Sequence, residues 1–215
     1  MKTGLPLIAL VLALGGCANF GQNTSSPATV YYVLNDAAPQ AAPTPPPAGA
    51  PSDPLRANKR VESSARTLLV LDTTAGGFYD TDQLVFSRSA GTRGQYQFAR
   101  WTERPGKRFA DLLRARLDRL GRYRVVAAGG YVRGDLMLDT RLVEFYHDAT
   151  REPGQVRLEL RADLVDMKQR TLLGRHTFEQ QVPVTTYDAA GAAQASSLAV
   201  SRVLDDLTGW LATFK

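Results

Sequence analysis

The chain has 215 residues, 44% of them hydrophobic and 22% charged, and a formal net charge of +5. That balance suits one globular domain with tails and excludes wholesale disorder. One cysteine excludes an internal disulfide framework or a thiolate metal cluster, and two histidines leave little for a zinc site or a histidine-based triad.

Met1-Lys2-Thr3-Gly4 leads into an apolar run, residues 5–14, and then Gly15-Gly16-Cys17. A short positive start, about ten apolar residues and a small-residue site mark a signal peptide over residues 1–16. A membrane-spanning helix needs about 20 apolar residues, so this run is a signal and not an anchor helix. Leu14-Gly15-Gly16-Cys17 resembles a bacterial lipobox. Small side chains before the cut fit a narrow protease subsite between Gly16 and Cys17, and the Cys17 thiol accepts the lipid. Several acyl chains on one residue hold a membrane more firmly than a single chain, whose binding is marginal. Losing residues 1–16 removes Lys2 and lowers the charge to +4. Ala18 after the cysteine favours the outer membrane, by analogy with lipoprotein sorting.

Residues 17–28 read as a small, polar, lipidated tether. Residues 29–36, with Thr29-Val30-Tyr31-Tyr32-Val33-Leu34, read as a first strand. Residues 37–65 form a proline-rich, semi-rigid linker, since seven of the twelve prolines fall between Ala37 and Pro54. An apolar strand left exposed invites aggregation, so the first strand is expected to dock on the main domain. The proline segment then becomes a loop and the leash stays short.

Residues 66–215 carry the folded domain. Thr67 to Asp72 is a buried strand, followed by strands at Leu84–Ser87 and Gln95–Ala99. Pro105 opens and Gly121 closes a helix whose apolar face is Phe109, Leu113, Leu117 and Leu120. Tyr123–Val126 is a further strand. Asp135–Tyr146 shifts its apolar phase from Leu142 to Val143, which predicts a β-bulge. Gln155–Asp166 alternates Val156, Leu158, Leu160, Ala162 and Leu164 with charged residues, and Leu172–Val182 pairs back through Met167–Arg170. A last helix starts near Ala190 and places Val200, Leu204, Leu207, Leu211 and Phe214 on one face. The expected fold is a two-layer α+β domain: a mixed, largely antiparallel sheet with two helices packed on one face.

Catalytic motifs are missing. The sequence has no phosphate loop, no His-Glu-x-x-His, no Gly-x-Ser-x-Gly and no Ser-x-x-Lys. His147 beside Asp148 reads as a surface pair, Asp205-Asp206 point apart on a helix, and Asp80 with Asp82 are too few to hold calcium. No cofactor or metal is expected. Arginine outnumbers lysine 21 to 5. The signal peptide removes nucleic acid as a partner, leaving lipid phosphates, an acidic partner or a plain solvated surface. Phe78, Tyr79, Tyr96 and Trp101, with Arg104, are aromatic and arginine positions near apparent loops. Such residues are enriched where proteins meet, so they are the candidate partner interface.

The order of these segments is similar to the ABC-type transport auxiliary lipoproteins, the PqiC-like family. The resemblance rests on the lipobox, Tyr31-Tyr32-Val33-Leu34, Leu68–Thr73, Phe78–Phe86, Gln97–Trp101, Arg104-Pro105, Tyr123–Val126, Val143–Phe145 and Val156–Ala162. It spans most of residues 30–212, with the proline segment as a departure. It implies a non-catalytic lipoprotein working with an MCE-domain protein, a permease and an ATPase in moving lipid between inner and outer membranes. The protein would be held at the outer membrane by acylated Cys17 and face the periplasm. A ring-symmetric partner would favour a homo-oligomer. The competing readings are an assembly factor or plug for an outer-membrane β-barrel, and a periplasmic hydrolase marked by converging buried polar groups.

Overall fold

The computed structural model describes residues 27–37, 65–129 and 132–214. The signal peptide, Gly16, Cys17, most of the tether and nearly all of the proline linker lie outside the described residues. The strands are β1 (Val30–Tyr32), β2 (Thr67–Val70), β3 (Thr74–Ala75), β4 (Gln83–Ser87), β5 (Gly94–Trp101), β6 (Arg124–Ala127), β7 (Leu136–Asp148), β8 (Gln155–Asp166) and β9 (Thr171–Pro183). The helices are α1 (Pro105–Leu120) and α2 (Ala189–Leu211).

All nine strands form one sheet, organised around β7. One edge of β7 runs antiparallel to β8 along its whole length, and β8 in turn pairs antiparallel with β9. The other edge is shared in succession by β2, β3 and β4, all parallel to it. β6 joins β2 in parallel, and β5 joins β4 antiparallel. The long pairings are thus antiparallel and the short ones mostly parallel. β7 changes register between Leu142 and Glu144, where the apolar phase of the sequence shifts. Short β3 carries no periodic signal, and its existence depends on β7 offering it an edge.

Alternation explains the burial. Val156, Leu158, Leu160, Ala162 and Leu164 of β8 all face the core at 1% exposure or less. Each fully buried Val or Leu stabilises the fold by about 1.5–3 kcal/mol. Both helices cover this face and share one apolar cluster with it. Pro105 starts α1, and Gly121 ends it at φ 63°, a left-handed turn in which its N–H reaches the Asp118 and Leu117 carbonyls. Phe109, Leu113 and Leu117 are buried, but Leu120 is 58% exposed and departs from the expected apolar face. It lies in the last turn, past the sheet, on an open cleft with Tyr123 and Leu211. Asp188 caps α2 by accepting from the Gly191 N–H at 2.8 Å. Phe214 falls just beyond α2 and packs against Trp210 and the core.

The first strand docks. β1 pairs in parallel with β5, Val30 opposite Ala99 and Tyr32 opposite Trp101. The chain then drops Leu34 into the core at 2% exposure. Asp36 follows, wedged between the helices: Arg116 of α1 donates to it at 2.6–2.9 Å and Ser201 Oγ of α2 at 2.7 Å. Arg108 Nε donates to the Leu34 carbonyl at 2.9 Å, completing a clasp over both helices.

Candidate functional site

The loop between β3 and β4 brings several expected interface residues together. It turns at Gly76, whose carbonyl accepts from the Tyr79 and Asp80 N–H groups at 2.8 and 3.0 Å. Two ion pairs bind it to the β5–α1 segment, Arg104 to Asp80 at 3.2 Å and Arg100 to Asp82 at 2.9 Å. Those contacts commit both aspartates to arginine. Phe78 stands 44% exposed at the loop tip, edge-on to Tyr79, and Arg104 is exposed beside it.

The other expected interface residues lie further in. Trp101 is only 3% exposed and stacks on Phe145 at 5.9 Å, so it belongs to the core and not to an interface. Strand alternation explains this, because Ala99 and Trp101 share the inward face of β5. Tyr96 is half-buried, and its hydroxyl meets His147 Nδ1 at 2.8 Å. Burial pushes its phenol pKa up to about 12. His147 is not in a surface pair with Asp148 but 2% exposed, its Nε2 donating to the Pro153 carbonyl at 2.9 Å. The β7 bulge turns Phe145 and His147 inward together. Both ring nitrogens are engaged in structural contacts, while Asp148 pairs with Arg157 at 2.9 Å.

Arg93 escaped the sequence reading. Its Nε donates to the Tyr79 hydroxyl at 2.8 Å, its Nη2 to Glu144 at 3.0 Å, and its guanidinium lies 3.7 Å from the Tyr146 ring centroid. Partners 14 and 51 residues away leave no local signal. Burial raises the Tyr79 pKa, with the Arg93 hydrogen bond pulling against it.

The face of β7–β8–β9 turned away from the two helices is banded by charge. Glu144, Glu159 and Glu179 lie directly across from one another, and Arg141 faces Arg161. Asp139 faces Asp163, which Arg175 holds in a two-pronged pair at 2.5–2.6 Å. Burial, then Glu179 and Glu144, raise the Glu159 pKa. Like charges across a strand pair are destabilising, so this face is not optimised for stability alone. Among the described residues no group of three His, Cys, Asp or Glu is placed to hold a metal ion. No helix among them is long and apolar enough to cross a membrane.

The family model for the ABC-type transport auxiliary lipoprotein component matches residues 50–208, most of the chain and nearly all of the domain. The chain belongs to this family. Among solved structures, the Xanthomonas campestris protein XCC0632 superposes with a TM-score of 0.63 at 24% identity, covering 68% of this chain and 83% of that one. An uncharacterised protein superposes with a TM-score of 0.58 at 14% identity, covering 68% of this chain and 92% of that one. At such identities the likeness is one of fold. No curated protein matches the sequence. Membership makes the chain a transport auxiliary lipoprotein. In this family member, β1 and its Leu34–Asp36 clasp precede the matched segment, yet are built into the matched domain.

Proposed function

We propose that this lipoprotein is a non-catalytic docking component of an MCE-type ABC system moving lipid between the inner and outer membranes. Acylated Cys17 holds it in the outer membrane, and the domain faces the periplasm. The observation that carries the reading is the family match over residues 50–208, joined to a lipobox ending in Cys17. The polar chemistry supports an adaptor. His147 is spent on structural hydrogen bonds, and Asp80, Asp82, Asp148 and Asp163 are each held by arginine. The exposed parts of the candidate interface, Phe78 and Arg104 on a loop pinned by ion pairs, offer a rigid contact to an MCE-domain partner.

The test is cross-linked co-purification of the tagged lipoprotein from gently solubilised envelopes, with mass spectrometry of what is retained. An MCE protein recovered with its permease and ATPase is the expected result. A β-barrel alone would move the protein to barrel assembly and overturn the reading. Replacing Phe78 and Arg104 by alanine is expected to reduce recovery of the MCE protein without altering the folding transition.

A further inference from the structure

The chain is 22% charged, yet no charged residue occurs between Lys2 and Asp36. A second charge-free run lies between Asp188 and Arg202, the N-terminal half of α2. The fold brings the two together. Val33 and Asn35 face Ala190, Gln194 and Ser197 across a groove of about 480 Å³. Asn35 N–H donates to Ser197 Oγ at 3.2 Å. Ala190, Gln194 and Leu198 rise at four-residue spacing and are all exposed. A surface helix ordinarily turns charged residues to water, and α2 does so further on, at Arg202, Asp205 and Asp206. Tyr31 is 59% exposed, and Val30, Val33 and Leu198 are exposed with it.

We infer that the exposed apolar residues of this edge, Val30, Tyr31 and Val33 of the β1 segment and Leu198 of α2 next to the groove, rest on the bilayer that holds the anchor, with the charge opposite Tyr31, Arg100, already paired to Asp82. The inference rests on the acylated-anchor reading of Cys17 and adds to it a second, direct membrane contact. Pro27 follows Cys17 by ten residues. Such a length spans at most roughly 33–36 Å, about one diameter of a domain this size. β1 is the first described element after Cys17, so this edge is the part of the domain tied nearest to the anchor in the chain. An aliphatic surface with a tyrosine suits the boundary between headgroups and acyl chains.

The depth is limited. Among the described residues the outer edge of β1 pairs with no strand, and hydrocarbon cannot satisfy such backbone groups, so the contact stays at headgroup level. Strand addition by a second copy fits less well. β1 has three residues, and the chain leaves the edge at once to bury Leu34, so few backbone bonds could form.

The test uses the full acylated protein in vesicles of phosphatidylethanolamine and phosphatidylglycerol containing brominated lipid. The Cys17 thiol is consumed as a thioether, so a single introduced cysteine takes an environment-sensitive fluorophore. Val30→Cys and Leu198→Cys report on the patch, and Leu172→Cys on exposed β9 at the far side of the sheet. The expected result is a blue shift and loss of fluorescence at 30 and 198, and neither at 172. The label at 30 loses that quenching when Val33→Glu and Leu198→Glu are added, while the vesicles still float the protein. Flotation without quenching at 30 and 198 overturns the inference and leaves the anchor standing. Failure to float removes the anchor reading and the inference with it. Protection at 30 and 198 that grows with protein density, without quenching by lipid, assigns the patch to a second copy and also overturns it.

Discussion

Asp36 shows how much one side chain can hold. Its carboxylate and the Arg116 guanidinium are 10% and 12% exposed, and Arg119, Ser201 and, through Arg116, Asp205 join them. The Asp36 hydrogen bonds raise the Arg116 pKa and keep it charged. Asp36→Ala leaves that guanidinium nearly buried with Asp205 as its one remaining acidic partner among the described residues, and is expected to cost about 2–4 kcal/mol. A urea midpoint lowered at unchanged slope checks it, and β1 should become protease-sensitive before the rest of the domain. Glu159 predicts the opposite sign. Its folded pKa is raised, so its charged form costs stability once pH climbs from the ordinary value of 4.5 through the raised one. Glu159→Gln is therefore expected to stabilise the domain at neutral pH by about 0.2–0.5 kcal/mol, screened as exposed pairs are. The gain should vanish below that window, which thermal melts at neutral and acidic pH will show.

At the scale of elements, the helix ends and the β8 alternation were legible because each rests on local chemistry. Pro105, Gly121 and the Val156–Leu164 period need no distant partner to be read. The Leu142–Val143 phase shift marked the bulge for the same reason. Asp188 makes an element-level prediction. The Gly191 N–H, then the Thr186 hydroxyl, hold its carboxyl below the usual carboxylate range. Its contribution is present above the ordinary value of 3.8 and lost as pH falls through the lowered one. Asp188→Ala is expected to cost about 1 kcal/mol at neutral pH, and Asp188→Asn much less. The difference between Asp188 and Asp188→Asn in urea midpoints should shrink as pH drops below that window.

For the whole molecule, docking of β1 puts both Ala37 and Ala65 on the domain, and leaves Pro27 as the first described residue after Cys17. With Cys17 as the anchor proposed above, the domain's reach would be set by the residues between Cys17 and Pro27, and the segment between Ala37 and Ala65, whose two ends both sit on the domain, would add nothing to it. Cys17→Ser is expected to abolish membrane retention and transport support while leaving the domain folded. Fractionation, together with an unchanged urea transition, checks both halves. A protease site placed at Pro45–Pro47 gives a sharper view. Cutting there should leave the acylated N-terminal piece bound to the domain in the native protein, and Asp36→Ala should release it, as a pull-down after cleavage will read.

The amino-acid sequence alone determined the two-layer class, both ends of α1, the start of α2 and the bulge, because spacing, capping and phase act over a few residues. It offered Phe78, Arg104 and Trp101 alike as interface candidates, of which the fold leaves Phe78 and Arg104 exposed and buries Trp101, and it took the buried His147 for a surface residue. Their burial depends on which way β5 and β7 turn relative to the core. Only the tertiary structure decided that five parallel pairings accompany the antiparallel ones, since pairing partners are chosen by edges far apart in the chain. It alone set Arg93 among Tyr79, Glu144 and Tyr146, closed Asp36 between the helices, and laid two charge-free runs side by side. Each depends on long-range proximity, which no local pattern encodes.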